Sequence, residues 1–211
     1  MSIQTWLAFV IASQLLFLIP GPTLLLVISY AISQGRSVAL ASVAGVALGD
    51  FIAMSTSLAG LGALVLASAT LFQVIKWIGA LYLIYLGIKI IRSASSAAAS
   101  NIVEVGTESH ARIFRHAAAV TALNPKSIVF FIAFVPQFIA TDAPLLPQFS
   151  LLIATFVIMA ALNAMAFALL ADLLRSKITK PGVLAWLTRA GGGALVTMGV
   201  FTAAFNRSAS S

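Results

Sequence analysis

The N-terminal apolar run constrains the fold most, because Pro20-Gly21-Pro22 interrupts it near its centre. No charged residue occurs between Trp6 and Tyr30. A run of this length can cross the ~30 Å hydrocarbon layer of a bilayer as one helix of about 20 residues. Each proline removes a backbone donor, and its ring clashes with the preceding turn. The sequence therefore predicts a membrane-spanning helix that is broken near mid-depth.

A break of this kind points to a transport site. Backbone groups freed in lipid have no water to bind, so the break persists only where protein or a wet cavity covers it. Broken helices at mid-depth form the substrate and ion sites of many secondary transporters. We expect a small membrane transporter whose binding site lies at the break.

Composition supports a membrane protein and excludes a soluble enzyme. Of 211 residues, 61% are hydrophobic and 8% are charged, whereas soluble domains contain about 25% charged residues. The absence of cysteine excludes disulfides and thiol redox carriers. The net charge of +7 is interpreted as basic loops that contact membrane lipid, and not as a nucleic-acid surface, because most basic residues lie between apolar runs.

The fold class predicted is an all-α integral membrane protein of six transmembrane helices. The spans are expected at about 4–33, 37–58, 71–91, 117–139, 148–174 and 191–205. They form one domain, residues 1–211, with a polar connection at about 92–115 that contains His110; His110 and His116 are expected to be loop or interface residues. Residues 55–68 form either a bent extension of the second span or a short re-entrant turn.

Two charged residues are predicted near mid-depth, Asp50 in the second span and Lys126 in the fourth. A carboxylate at that depth costs on the order of 3 kcal/mol on insertion scales. We interpret both as functional groups; the alternative is that they pair with one another in a static bundle. Gln14, beside the first break, is interpreted as a hydrogen-bonding contact between helices.

The two halves of the chain share features in the same order. Pro22 and Pro125 each break the first helix of a three-helix set, and Asp50 and Asn163 each place a polar group in the second. The third helices share a spacing of eight residues, from Gly79 to Gly87 and from Gly191 to Gly199. This order predicts two inverted three-helix repeats, residues 1–91 and 116–211.

Positive residues predict the orientation. With both termini outside, nine Lys and Arg residues lie in cytoplasmic connections and two, Lys76 and Arg207, lie outside. This bias is decisive under the positive-inside rule. The sequence predicts a multi-pass protein with cytoplasmic basic loops.

The chain resembles the LysE/RhtB family of bacterial amino-acid exporters. The motifs that carry the resemblance run in order along nearly the whole chain: Pro20-Gly21-Pro22, Gly35-Arg36, Gly45, Gly49-Asp50, the Gly79–Gly87 run, Asn124-Pro125-Lys126 and Pro136-Gln137-Phe138. The resemblance implies a plasma-membrane efflux carrier for an amino acid such as homoserine, threonine or leucine, coupled to the proton gradient, with no enzymatic activity and no cofactor.

A free amino acid is a zwitterion, so its site needs a partner of each sign. Asp50 is expected to bind the ammonium and to load and release the coupling proton, and Lys126 to bind the carboxylate. Amides around Thr23, at the restarted helix, suit an anion, and Asn124 and Asn163 supply neutral hydrogen bonds. The candidate substrate site comprises Pro20, Gly21, Pro22, Thr23, Asp50, Asn124, Pro125, Lys126 and Asn163.

Two other functions remain open. A metal-ion exporter would need several carboxylate, His or Cys ligands in the membrane, and no metal site is expected here. A membrane assembly subunit would not transport at all. The Gly45 and Gly49 pair allows a homodimer, although packing within one chain is the preferred interpretation.

Overall fold

The computed structural model describes residues 1–19, 21–97, 108–140, 142–171, 186 and 189–200. Regular secondary structure in these ranges is helical throughout. The helices are α1 (Ile3–Leu18), α2 (Pro22–Gln34), α3 (Ala39–Ala67), α4 (Ala69–Ala97), α5 (His110–Ala122), α6 (Pro125–Ala133) and α7 (Leu145–Leu169). Short 3-10 turns cover Arg36–Val38 and Val135–Phe138. Residues 189–200 form a further helix, here called the C-terminal helix.

Five stretches of the described chain are long and apolar enough to be spans. Three are continuous: Ala39–Val65, Gln73–Arg92 and Leu145–Leu169. The other two are bent pairs, α1 with α2 at 57° and α5 with the segment Pro125–Phe138 at 44°. The bends lie where the prolines predicted them. The sixth predicted span, 191–205, lies partly outside the described residues, so the six-helix repeat remains an expectation.

The structure decides between the two alternatives for residues 55–68, in favour of an extension of the second span, and corrects one predicted boundary. Residues 55–67 are the continuation of α3, which runs unbroken to Ala67, so they form no re-entrant turn. The predicted polar connection ended too late, because α5 already begins at His110. Its first turns carry polar residues and resemble a loop by hydropathy, but the Ser109 hydroxyl accepts a hydrogen bond from the Arg112 amide and caps the helix. His110 and His116 therefore both lie on a helix.

α3 is the central helix, and it packs most extensively against α5 and α7. Gly45 and Gly49 face α5 so closely that a side chain at either position would collide with it. A Cβ at Gly49 would lie 2.6 Å from the Ala118 carbonyl oxygen. The preferred interpretation of these glycines, packing within one chain, is confirmed. Their contact holds α3 against the second half of the protein and sets where Asp50 lies.

The third helices of the two predicted repeats also meet. The backbones of α4 and the C-terminal helix approach at Gly87 and Gly192, where neither position has room for a Cβ. In the core, Phe9, Phe131 and Phe156 are fully buried and join α1, α6 and α7. The Phe131 and Phe156 rings lie edge to face with centroids 4.8 Å apart.

Replacing Gly49 with leucine is expected to weaken the α3–α5 contact. Overpacking of a close contact costs about 1–3 kcal/mol, so Gly49→Leu should lower the thermal unfolding temperature of the detergent-purified protein. Gly60→Leu is the matched control, since Gly60 lies on the same helix with no atom within 4 Å of an added Cβ. Equal unfolding temperatures for the two variants would contradict the packing described here.

Candidate functional site

Both helix breaks have the same local cause, a proline at the first position of the restarted helix. α2 begins at Pro22 after Gly21, and α6 begins at Pro125 after Asn124. Proline suits this position because its missing N–H would be unpaired there anyway and its φ is already helical. Pro20, the other proline of the first break, lies outside the described residues.

The N-termini of the restarted helices are capped differently. The Asn124 side-chain Oδ1 accepts a hydrogen bond of 3.1 Å from the Lys126 amide, which caps α6. Gly21 has no side chain and provides no such cap for α2. The first-turn amides of α2 therefore receive no hydrogen bond acceptor from the side chain of the N-cap residue.

Lys126 connects the second break to the first. Its Nζ donates hydrogen bonds to the carbonyl oxygens of Leu16, at 3.1 Å, and Ile19, at 2.9 Å. These carbonyls belong to the end of α1, where the last turn of a helix has no partners of its own. The ammonium of α6 thus satisfies the Ile19 carbonyl, which the break in the first helix has freed, and gives the Leu16 carbonyl a second donor.

Thr23 forms a second connection between the breaks. Its Oγ1 accepts hydrogen bonds from Asn124 Nδ2, at 3.1 Å, and from Thr121 Oγ1, at 3.3 Å. Asn124 is buried, with 3% of its surface exposed. The start of α2 therefore lies directly against the junction of α5 and α6.

Gln14 and Asn163 form a reciprocal amide pair between α1 and α7. Gln14 Nε2 donates to Asn163 Oδ1 at 2.9 Å, and Asn163 Nδ2 donates to Gln14 Oε1 at 3.0 Å. Asn163 Nδ2 also donates to the Met159 carbonyl. The prediction that Gln14 bonds a neighbouring helix is confirmed.

Asp50 differs from Asn124, Lys126 and Asn163 in this polar centre. It lies near the middle of the span formed by α3, with 3% of its surface exposed. Within the described ranges its carboxylate accepts no hydrogen bond, and the ion pair found there joins Glu108 to Arg112 instead. A direct Asp50–Lys126 ion pair, the static alternative considered above, is absent from the described structure.

One cavity lies at the meeting of the breaks, with about 490 Å³ of space including its open mouth. Five of the sequence-predicted site residues line it: Thr23, Asp50, Asn124, Lys126 and Asn163. Gly21, Pro22 and Pro125 lie at the helix starts beside it. The remaining lining residues are Leu16, Phe17, Leu24, Val27, Val46, Ser127, Ala160, Ala164 and Phe167.

Sequence reasoning missed a polar contact between the half-helices α2 and α5. The Tyr30 hydroxyl and His116 Nδ1 lie 2.8 Å apart, and Tyr30 is 2% exposed. A tyrosine at the end of an apolar run gives no indication of its partner, because the two residues are 86 positions apart. In the described part of the chain, no three His, Cys, Asp or Glu residues come together as a metal site would require.

Comparison with known proteins gives consistent matches. A family model described as LysE type translocator matches residues 14–205. A homoserine/homoserine lactone efflux protein of Salmonella typhimurium is 34% identical over 203 residues, or 96% of this chain and 98% of that protein. A leucine efflux protein of Salmonella choleraesuis is 33% identical over 140 residues, 64% of each chain. An uncharacterized membrane protein of Vibrio cholerae is 33% identical over 207 residues. No solved structure matches.

A double-mutant cycle should detect the Gln14–Asn163 pair. Gln14→Leu and Asn163→Leu each leave one amide unpaired, so each should lower the thermal unfolding temperature. The double variant should lose less than the sum, with a coupling of about 0.6–1.7 kcal/mol. Gln4→Leu, at an exposed position of α1, should combine additively with Asn163→Leu. Additivity in the Gln14 cycle would contradict the pair.

Proposed function

The chain belongs to the family of LysE type translocators, and on this premise we propose that it exports a neutral amino acid, or a close derivative, from the bacterial cytoplasm in exchange for protons. It is a membrane-embedded protein of a transporter family and not an enzyme. The observation that carries the proposal is a buried carboxylate without a hydrogen bond, Asp50, in one cavity with the ammonium of Lys126.

Asp50 binds the ammonium of the substrate. A carboxylate at this depth costs about 3 kcal/mol unless a cation or a proton neutralises it. Asn124, Lys126 and Asn163 already have hydrogen-bond partners, whereas the Asp50 carboxylate accepts no hydrogen bond among the described residues. Substrate ammonium and a proton would each satisfy the same carboxylate, and each excludes the other. This competition provides a physical basis for antiport.

The substrate carboxylate binds on the side of the cavity where the breaks meet. An ammonium has three donors, and Lys126 gives two of them to Leu16 and Ile19, which leaves one for a ligand. Thr23 and Leu24 line the cavity at the uncapped start of α2, and amides at a helix N-terminus favour an anion.

Asn124 and Asn163 contribute through their amide oxygens. Each Oδ1 accepts one hydrogen bond within the protein, Asn124 from the Lys126 amide and Asn163 from Gln14. A carbonyl oxygen can accept two, so each retains one acceptor position. These oxygens add neutral hydrogen bonds to the ammonium that Asp50 binds.

The substrate side chain occupies the apolar part of the cavity and is uncharged. The lining contains one carboxylate and one ammonium, and both are assigned to the backbone groups of the substrate. Most of the remaining lining is apolar and includes Phe17 and Phe167, with Ala160 and Ala164 one helical turn apart on α7. Two relatives are named for homoserine and leucine, whose side chains carry no charge.

The topology proposed is six spans in two inverted repeats, residues 1–91 and 116–211, with both termini outside the plasma membrane. The basic residues support it, since nine lie in the connections assigned to the cytoplasm and two outside. The bent pairs α1–α2 and α5–α6 support it as well, because each opens one of the proposed repeats.

Export through Asp50 is testable in inside-out membrane vesicles. With an acidic vesicle interior, wild-type protein should accumulate a labelled neutral amino acid or homoserine. Asp50→Asn should lower this rate at least about tenfold, which corresponds to a lost interaction of about 1.4 kcal/mol. Asp142→Asn removes an exposed loop carboxylate and should leave the rate near that of the wild type.

One result would contradict this role of Asp50. If folded, membrane-inserted Asp50→Asn accumulates substrate at the wild-type rate under the same pH gradient, Asp50 neither binds the ammonium nor couples the proton. A wild-type protein that transports none of the amino acids in a full panel would contradict the proposed function itself.

Substrate size should depend on Ala164. A leucine at this position fills space that a large substrate side chain needs, and one methylene in an apolar pocket changes a rate about 10- to 200-fold. Ala164→Leu should therefore reduce leucine export at least about tenfold and homoserine export less. Ala166→Leu, on the exposed side of the same helix, is the control. Equal losses for both substrates would contradict this assignment.

A further inference from the structure

The end of α1 carries carbonyls that require a cation, and α1 itself provides none. The last turn of α1 contains no basic residue. Carbonyls at a helix C-terminus carry a partial negative charge, and in lipid there is no water to bind them. The Ile19 amide donates back to the Leu16 carbonyl at 3.2 Å, so one bond of the last turn is made locally. The Ile19 carbonyl obtains its bond from Lys126.

Lys126 reaches this position because its own helix start is held in place. Pro125 and the Asn124 cap define the first turn of α6, and Asn124 in turn donates to Thr23. Gly21 provides the space that the ammonium occupies. A Cβ at Gly21 would lie 3.3 Å from Lys126 Nζ and 3.5 Å from its Cε, so a larger residue would crowd the amine.

Half-helix C-termini are where broken-helix transporters bind a coupling cation. In such proteins, unwound carbonyls and helix C-terminal ends coordinate Na⁺ or a proton, because oxygen ligands suit hard cations. Here two oxygens of this class accept hydrogen bonds from an ammonium at 2.9–3.1 Å. A monovalent cation and the Lys126 ammonium would occupy the same place.

We propose that the Lys126 ammonium is a tethered cation that permanently fills the cation site at the end of α1, so that transport needs no dissociable Na⁺ or K⁺ there. The proposal rests on the proposed function for its transport consequence, and on the described contacts for the site itself. It also assigns Gly21 as the residue that leaves room for the amine.

The tether has a consequence for coupling. Because the cation at α1 cannot leave, the exchangeable charges of the cavity are the substrate ammonium and the proton at Asp50. The two broken helices also cannot separate at this point without exposing the Leu16 and Ile19 carbonyls. Lys126 is therefore a positioning residue for the first break, in addition to its contact with the substrate carboxylate.

Removing the tether should create a binding site for a free cation. In detergent, the unfolding temperature of Lys126→Ala should rise saturably, by about 2–4 °C, with methylammonium, which replaces the lost amine, or with Na⁺ or K⁺. Choline chloride at equal ionic strength provides the salt control. Wild type and Lys89→Ala, which removes an exposed lysine of α4, should show no saturable shift.

The outcomes separate this proposal from the function it rests on. No saturable shift in a folded Lys126→Ala protein overturns the tethered-cation site, whatever the transport result. If that variant does not fold, the wild-type protein provides the test. A saturable rise in its unfolding temperature with Na⁺ or K⁺ overturns the proposal. Export that fails when choline replaces all alkali ions inside and outside the vesicles also overturns it. Unchanged wild-type export in choline supports it. Absence of any wild-type export contradicts the proposed function and leaves the shift measurements to decide the site.

Discussion

The hydrogen bonds from the Lys126 ammonium to the Leu16 and Ile19 carbonyls are the interaction on which the rest of this structure depends. A buried polar group without a partner costs several kcal/mol in an apolar medium, and lipid provides no water as a substitute. α1 can therefore end at depth only because α6 brings a cation to it. The first half of the chain needs the second half to be stable, and both breaks are held in one place.

The polar side chains around the breaks differ in whether they are hydrogen-bonded. Thr23 bonds Asn124, and Gln14 bonds Asn163, so these side chains join the helices that form the cavity. Asp50 remains buried without a hydrogen bond in the described chain. Evolution tolerates such a group in the membrane where it has a function. The contrast between Asp50 and its satisfied neighbours is the main physical argument that the cavity binds a cationic group.

Close backbone packing determines where Asp50 lies. Gly45 and Gly49 let α3 lie directly against α5, and Asp50 follows Gly49 by one residue. A wider α3–α5 spacing would move the carboxylate away from the junction of α5 and α6, where Lys126 begins its reach to α1. The small-residue contact thus affects the distance between the two charges, although neither glycine lines the cavity.

The sequence by itself determined the class of protein, the two breaks and the two charges at depth, because these depend on local chemistry. A proline breaks a helix wherever it lies, and a carboxylate in a long apolar run is unusual in any fold. Only the tertiary structure decided which groups meet. The partners of Lys126 lie 110 and 107 positions away along the chain, and the Tyr30–His116 contact joins helices with no shared pattern. Hydropathy also placed the start of α5 too late, because the first turn of this helix is polar. The hydrogen bond from the Arg112 amide to the Ser109 side chain caps the helix and shows that this turn is helical. A pattern along the chain indicates the conformation and the surroundings that each residue favours. Its hydrogen-bond partners depend on which helices the tertiary packing brings together.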